Sequence, residues 1–302
     1  MTAKCSSLSA DEFTKFFKQK VETVRAATAT ALSLPTASTA SSFVDHWSRV
    51  QPDEVVKLIS RSPNKSCLLD PVPTWIVKEF SSLLAPFITR LFNASLDSGS
   101  YPQSFKHAIV LPLLKKENLD AAQLNNYRPI SNLTFLSKLL ERVVLERLQQ
   151  YLDRGCGLPR YQSAYRKCHS TETALLKVVN DLLLAADRGE VSALCLLDLS
   201  AAFDTVDHEL LLSRLQNRFG VVGTALNWFR SYLTNRSYAV MYGSNLSDVV
   251  QLVCSVPKVL FWDRCCSFCT RLNSRTWLPA WRSTFTCTLM ILSYTSTASR
   301  QG

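Results

Sequence analysis

Ala193–His208 reads ALCLLDLSAAFDTVDH, and the fold turns on how this stretch is read. Ala193–Leu197 is apolar throughout, four aliphatic residues and Cys195, and the run meets an acid at Asp198. A short apolar run between turn signals reads as a buried strand. Two further acids follow, Asp204 and Asp207, with Phe203 between them and the strand. A carboxylate at the tip of a buried strand costs free energy unless something compensates it. A divalent cation is one compensation, and Mg²⁺ favours one or two carboxylates together with substrate phosphates. The other reading is a strand that ends before a helix with acids in its first turn, which is an ordinary arrangement. Spacing alone leaves both open.

The surrounding chain has 302 residues, enough for one large or two ordinary domains. At 47% hydrophobic and 19% charged it can bury a core. A net charge of +10 favours an anionic partner, nucleic acid first. The opening MTAKCSSLSA has no apolar run of signal-peptide length, and no run approaches the ~18 apolar residues of a membrane span. The expectation is an intracellular protein without membrane attachment, with nucleus and cytoplasm both open. Ten Cys show no repeating framework, so reduced thiols are expected.

Residues 1–51 read as a connector. One helix is predicted over Asp11–Thr28, with Phe13, Phe16, Phe17, Val21 and Val24 at roughly helical spacing. The Ala/Ser/Thr stretch Ala26–Ser42, broken by Pro35, reads as a flexible linker. From Pro52 to Ser98 the pattern is helical: Glu54–Ile59, a turn at Asp70, Pro71 and Pro73, then Trp75–Phe80 and Leu83–Leu96, closed by Gly99. Ala108–Leu114 reads as a strand with a basic tip at Lys115 and Lys116, a solvated turn in the plainer reading, and Pro112 assigns it to a sheet edge. Asn125–Ile130, NNYRPI, reads as a turn carrying Tyr127 and Arg128.

The clearest helix follows. Phe135, Leu139, Leu140, Val143, Val144 and Leu148 make one apolar stripe, with Lys138, Glu141, Arg142, Glu146 and Arg147 off it. That stripe is core packing. Gly155 and Gly157 end the segment. Gln162–Thr173 is polar and basic and opens a helix through Leu184, with Ser170 or Thr171 as N-cap and Gly189 as its stop. Arg166, Lys167 and His169 precede that N-terminus, where backbone N–H groups favour anions. Beyond the opening stretch, His208–Phe219 and Thr224–Tyr232 read as helices joined through Gly220 and Gly223. Tyr238–Tyr242 and Val249–Val253 read as a strand pair turning at Gly243–Asn245. The order is α+β rather than alternating βαβ.

Six segments in this order, DPVPTWIVKEF, YPQSFKHAIVLPLLKK, NNYRPISNLTFLSKLLERVV, QSAYRKCHSTETAL, LCLLDLSAAFDTVDH and the start of a VPxG element at Val256, resemble the reverse transcriptase domain of non-LTR (LINE-like) retrotransposons, jockey-type elements most of all. The resemblance covers roughly Asp70–Pro257. It implies a right-hand polymerase, with a helical lead-in and fingers-like region over residues 52–190 and a partial palm over 191–257. It implies RNA-directed DNA synthesis with an RNA template, a DNA primer and dNTP. Asp198 takes the place of the first catalytic aspartate and Mg²⁺ ligand, and Phe203 that of the residue excluding a 2′-hydroxyl. Arg166 matches the fingers contact to the incoming triphosphate, as guanidinium suits phosphate geometry. Lys138 and Arg128 lie in the preceding motif, near template or nucleotide. Asp204 belongs to the motif without an assigned metal, and Asp207 and His208 read as helix-start residues.

The likeness breaks after Pro257. The family's second pair of aspartates, in a Tyr-Ala-Asp-Asp hairpin, is absent. Residues 258–302 hold three of the six Trp, four of the ten Cys and one acid, Asp263. Back-translated and read from the third base of each codon, Phe261–Trp262 forces Leu, Trp262–Asp263 forces Gly and Met290–Ile291 forces Asp. Lys258–Ser267 can then encode Gly-Ser-Val-Leu-Gly-Pro-Leu-Leu-Phe, and Cys287–Leu292 can encode Tyr-Ala-Asp-Asp-Thr. One base lost near Lys258 accounts for both, so residues 258–302 read as a frameshifted, disordered tail. Cys266 and Cys269 have C-x-x-C spacing beside Cys265, but no second pair stands at zinc-site distance, and a metal site is not expected there. The resulting expectation is a catalytically incomplete polymerase fragment. A non-catalytic nucleic-acid-binding remnant is the alternative. A different metal-dependent phosphotransferase using Asp198, Asp204 and Asp207 is the third reading, and it lacks further ligands.

Overall fold

The structure, a computed structural model, describes residues 8–28, 40–65, 67–154, 163, 168–195, 206–252, 254 and 292–296. Strand β1 (His107–Leu114) lies inside a five-stranded sheet. On one side it runs antiparallel to β2 (Tyr127–Asn132). On the other its first half, His107–Val110, runs parallel to β4 (Arg236–Tyr242). The outer side of β4 pairs with two short antiparallel strands, β5 (Asn245–Leu246) and β6 (Val250–Leu252). The expected pairing of the two segments is therefore present, but the turn is confined to Gly243–Ser244, because Asn245 already pairs with Tyr242 in β5.

Two expectations about this sheet are corrected. β1 is not an edge, although it contains Pro112. Lys115 N–H bonds to Asn126 O at 2.9 Å, which makes every second pair outward from it a hydrogen-bonded one. Pro112 and Pro129 then face each other in a non-hydrogen-bonded pair, where neither N–H is needed between the strands. Pairing with β4 has already stopped at Val110↔Val240, so Pro112 forfeits nothing on that side either. Second, the turn expected over Asn125–Ile130 is only half a turn: Leu124–Asn126 is a 3₁₀ turn, and from Tyr127 onward the segment is β2.

Helix α1 (Ala10–Thr28) covers one face of the sheet. Ser9 and Glu12 form a reciprocal capping box: Ser9 N–H donates to the Glu12 carboxylate at 2.7 Å, and Glu12 N–H to Ser9 Oγ at 3.2 Å. Phe13 is fully buried, its ring 4.8 Å from those of Tyr127 and Tyr242. Phe17, one turn on, joins Val110, Tyr238 and Val240. The helix is the predicted one, but it is part of the sheet's core rather than a connector. Its i, i+4 aromatics carry that role, and the Ala/Ser/Thr stretch after it obscured it.

The larger core is helical. It is built from α2 (Pro52–Arg61), α3 (Thr74–Glu79), α4 (Ser81–Ser98), α5 (Phe135–Arg154), α7 (His208–Asn217) and α8 (Gly223–Leu233). All six stripe residues of α5 are buried in it. Trp228 stacks on Tyr232 at 5.5 Å and meets Tyr101 edge-on at 5.3 Å. Residues 44–47 belong here too. Val44 forms a parallel bridge with Val221, and Trp47 is buried against Phe229. Gly220 (φ +65°) makes this approach possible, because a Cβ there would stand 1.9 Å from Ser42 O.

A third layer contains α6 (Thr171–Asp187), β3 (Val191–Cys195) and β7 (Leu292–Ser296), with β3 and β7 antiparallel. Ser170 is the N-cap of α6, closing a capping box with Thr173. β3 begins two residues before the predicted strand, and the burial expected of it is not found where it is described: Val191 and Leu194 are exposed. β7 lies within residues 258–302, the part of the sequence set apart above. Among the described residues, no helix is long and apolar enough to cross a membrane.

Candidate functional site

Of the five residues singled out from sequence, Asp198, Phe203 and Arg166 lie outside the described residues, as does Asp204. Arg128 and Lys138 are described, on the two elements that meet at the β2–α5 corner.

Arg128 is exposed on β2, directly across from Leu113. Its Nη2 donates to Lys115 O at 3.3 Å, and Lys115 Nζ donates to Asn125 O at 2.7 Å. The pairing of β1 with β2 thus brings Arg128, Lys115 and Lys116 to one end of the sheet, all exposed. Exposed Lys and Arg side chains at a strand end are groups able to hydrogen-bond phosphate oxygens.

Lys138 is half-buried in the first turn of α5. The start of that helix is held from two directions. Thr134 Oγ1 accepts from Ser137 N–H at 3.3 Å, and Thr134 O from Lys138 N–H at 3.2 Å. Asp70 supplies the rest: one carboxylate oxygen accepts from Phe135 N–H at 2.6 Å and the other from Cys67 N–H at 2.8 Å. A side chain 65 positions away therefore caps the helix that carries Lys138. Sequence reading saw a turn at Asp70 but had no signal for its distant partner.

Glu141, read from sequence as lying off the apolar stripe, is fully buried on α5. Its Oε1 accepts from Tyr232 O–H at 2.8 Å. Burial pushes its carboxyl up to about 7, against the opposing pull of Arg236, the Tyr232 hydrogen bond and Lys138. A Glu at this stripe-flanking position gives no sequence sign of burial, because its partners come from α8 and β4.

Asp207 is the N-cap of α7, accepting from Leu210 N–H at 3.0 Å, and stands 3.6 Å from the Arg25 guanidinium. It is a helix-start residue, as expected. His169 and Ser170 precede α6, and both are exposed. Among the described residues, no group of three or more His, Cys, Asp or Glu side chains could hold a metal ion.

Residues 114–255 match the family described as reverse transcriptase (RNA-dependent DNA polymerase). Over 215 residues, 70% of this chain, the sequence is 29% identical to the RNA-directed DNA polymerase from mobile element jockey of Drosophila melanogaster. The chain carries a reverse transcriptase domain of the non-LTR retrotransposon kind. It is also 28% identical over 210 residues, 69% of the chain, to the probable RNA-directed DNA polymerase from transposon BS of the same fly. A further relative, a transposon TX1 uncharacterized 149 kDa protein of Xenopus laevis, is 31% identical over 166 residues, 54% of this chain and 12% of that protein. The matched stretches span 23% of the length of each of the two Drosophila proteins. The reverse transcriptase match runs from the end of β1 through β6 and takes in Arg128, Lys138, Arg166, Asp198 and Phe203. The mixed α+β architecture agrees with a polymerase of fingers and palm.

Proposed function

We propose that this reverse transcriptase domain comprises most of the fingers and the first part of the palm of a retrotransposon polymerase, and that the chain as it stands does not polymerise. In this reading Arg128 and Lys138 approach template or nucleotide, Arg166 meets the triphosphate, and Phe203 gates the sugar. Asp198, three residues beyond the end of β3, is the residue that would hold Mg²⁺. Bound Mg²⁺ ions supply activation of the primer 3′-hydroxyl and neutralisation of the leaving pyrophosphate. One carboxylate does not suffice for two ions, and the donor set here is short of the others.

The observation that carries this reading is the sequence over Cys287–Leu292, CTLMIL, which has no acid in the stretch whose shifted codons can encode Tyr-Ala-Asp-Asp-Thr. Primer extension on an RNA template with Mg²⁺ tests it. No dNTP incorporation is expected. Incorporation that Asp198→Ala abolishes would overturn the proposal. The coding DNA tests the lost base independently: a single-base insertion near Lys258 should restore both downstream motifs in one frame.

A second reading, a non-catalytic nucleic-acid-binding remnant, draws support from the exposed Lys115, Lys116 and Arg128 at one sheet end. It expects RNA binding that weakens steeply with salt, and no incorporation.

A further inference from the structure

The seam between α5, α8 and β4 holds two fully buried ionisable side chains that do not bond to each other. Glu141 on α5 gives Oε1 to Tyr232 O–H, while its Oε2 is buried with no hydrogen-bond partner. Arg236 on β4 is 1% exposed. Its Nη1 donates to Tyr232 O at 3.0 Å, its guanidinium lies 4.5 Å above the Tyr232 ring, and its Nε and Nη2 are buried without partners. Tyr232 on α8 thus stands between a carboxyl and a guanidinium, each with unused hydrogen-bonding capacity. Unsatisfied polar atoms of this kind are rare in protein cores and call for an explanation.

We propose that Glu141 is the proton-binding element of a pH-sensitive joint between α5, α8 and β4, with Arg236 as its latent counter-ion. With Glu141 neutral, the buried acid carries no charge, and the guanidinium rests on the aromatic face of Tyr232. When Glu141 ionises, its unpartnered oxygen becomes a buried charge, which is costly unless paired. The unused guanidinium N–H groups of Arg236 then become its natural partners. The joint ties together the helix that carries Lys138 and the strand that anchors β1.

Other ionisable groups face the same joint. On α5, Lys138 favours the ionised form of Glu141. Tyr101 lies beneath the guanidinium, 5.8 Å from Arg236 Cζ, and hydrogen-bonds Ser137 Oγ at 2.8 Å. Burial raises both Tyr101 and Tyr232, so they stay protonated. Burial, with Arg236 as the lesser cause, lowers Lys106. His107, 2.9 Å from Ser237 on β4, is lowered by burial and titrates in the opposite sense to Glu141.

The sign follows from linkage. A carboxyl that binds its proton more tightly when folded adds stability that is complete below 4.5 and is lost as pH climbs through about 7. Thermal unfolding of the full chain across that window is compared for the parent and Glu141→Gln. The parent should lose stability relative to the variant as pH rises, and the difference isolates Glu141 from His107. Parallel pH profiles would overturn the proposal. A direct readout in the parent covers a variant that fails to fold: the Glu141 carboxyl carbon, followed by NMR, should titrate at about 7, whereas titration near 4.5 would refute it. Arg236→Met should move that midpoint upward, and an unmoved midpoint would exclude Arg236 as the counter-ion.

Discussion

Helices α5 and α6 have 20 and 17 residues and belong to the same reverse transcriptase match. The second is the less charged, with four charged side chains against seven. Yet α5 buries ten residues, two of them polar, while α6 buries Ala185 alone among those described. Leu175, Leu176, Val179, Leu183 and Leu184 all stand exposed on α6. An apolar face permits burial but does not create the surface that buries it. The buried face of α5 shares one core with α2, α7 and α8, and α5 bonds to α2 through Arg147–Glu54 and to α8 through Glu141–Tyr232, whereas the described neighbours of α6 are chiefly β3 and β7. The contrast separates a self-sufficient helical core from a layer whose apolar side chains find few described partners.

The largest expected effect lies in the first region. Trp228 is fully buried, stacked on Tyr232, and donates its indole N–H to Ser95 Oγ at 3.1 Å. Trp228→Ala should cost about 3–5 kcal/mol in denaturant unfolding. A loss below ~1 kcal/mol would mean that the helical core is not the stability determinant. Next comes the cap that ties α5 to a distant turn. Asp70→Ala should cost about 1–2 kcal/mol by the same measurement, and Asp70→Asn, which keeps the acceptor for Phe135 N–H, should recover part of it. Equal losses for the two variants would remove the capping role. The smallest effect belongs to α6. Leu176→Lys should change stability by less than ~0.5 kcal/mol while raising solubility. A loss comparable to that of Trp228→Ala would erase the contrast and show that α6 is buried after all.

Much of the architecture was open to sequence reading where one periodicity or one residue type suffices. The α5 stripe, the Gly99 stop and the Asp207 helix start needed only local pattern. The family resemblance, carried by several ordered motifs, agrees with the reverse transcriptase match. What escaped were the roles assigned by partners far along the chain. Phe13 is a core residue because Tyr127 and Tyr242 are 4.8 Å away, and nothing in residues 1–51 announces them. Pro112 suggests an edge until the register shows that its missing N–H is not required.

The sequence by itself determined most of the element types, the family resemblance, and the presence of a single acid, Asp263, after Pro257. These are written in side-chain spacing and residue identity, which a linear chain carries in full. Only tertiary structure decided that α1 covers a sheet, that Asp70 caps α5, and that Glu141 is a buried acid bonded to the same Tyr232 that carries the Arg236 guanidinium. Burial, capping and proton affinity depend on what surrounds a group, and its surroundings are assembled from residues that sequence distance keeps apart.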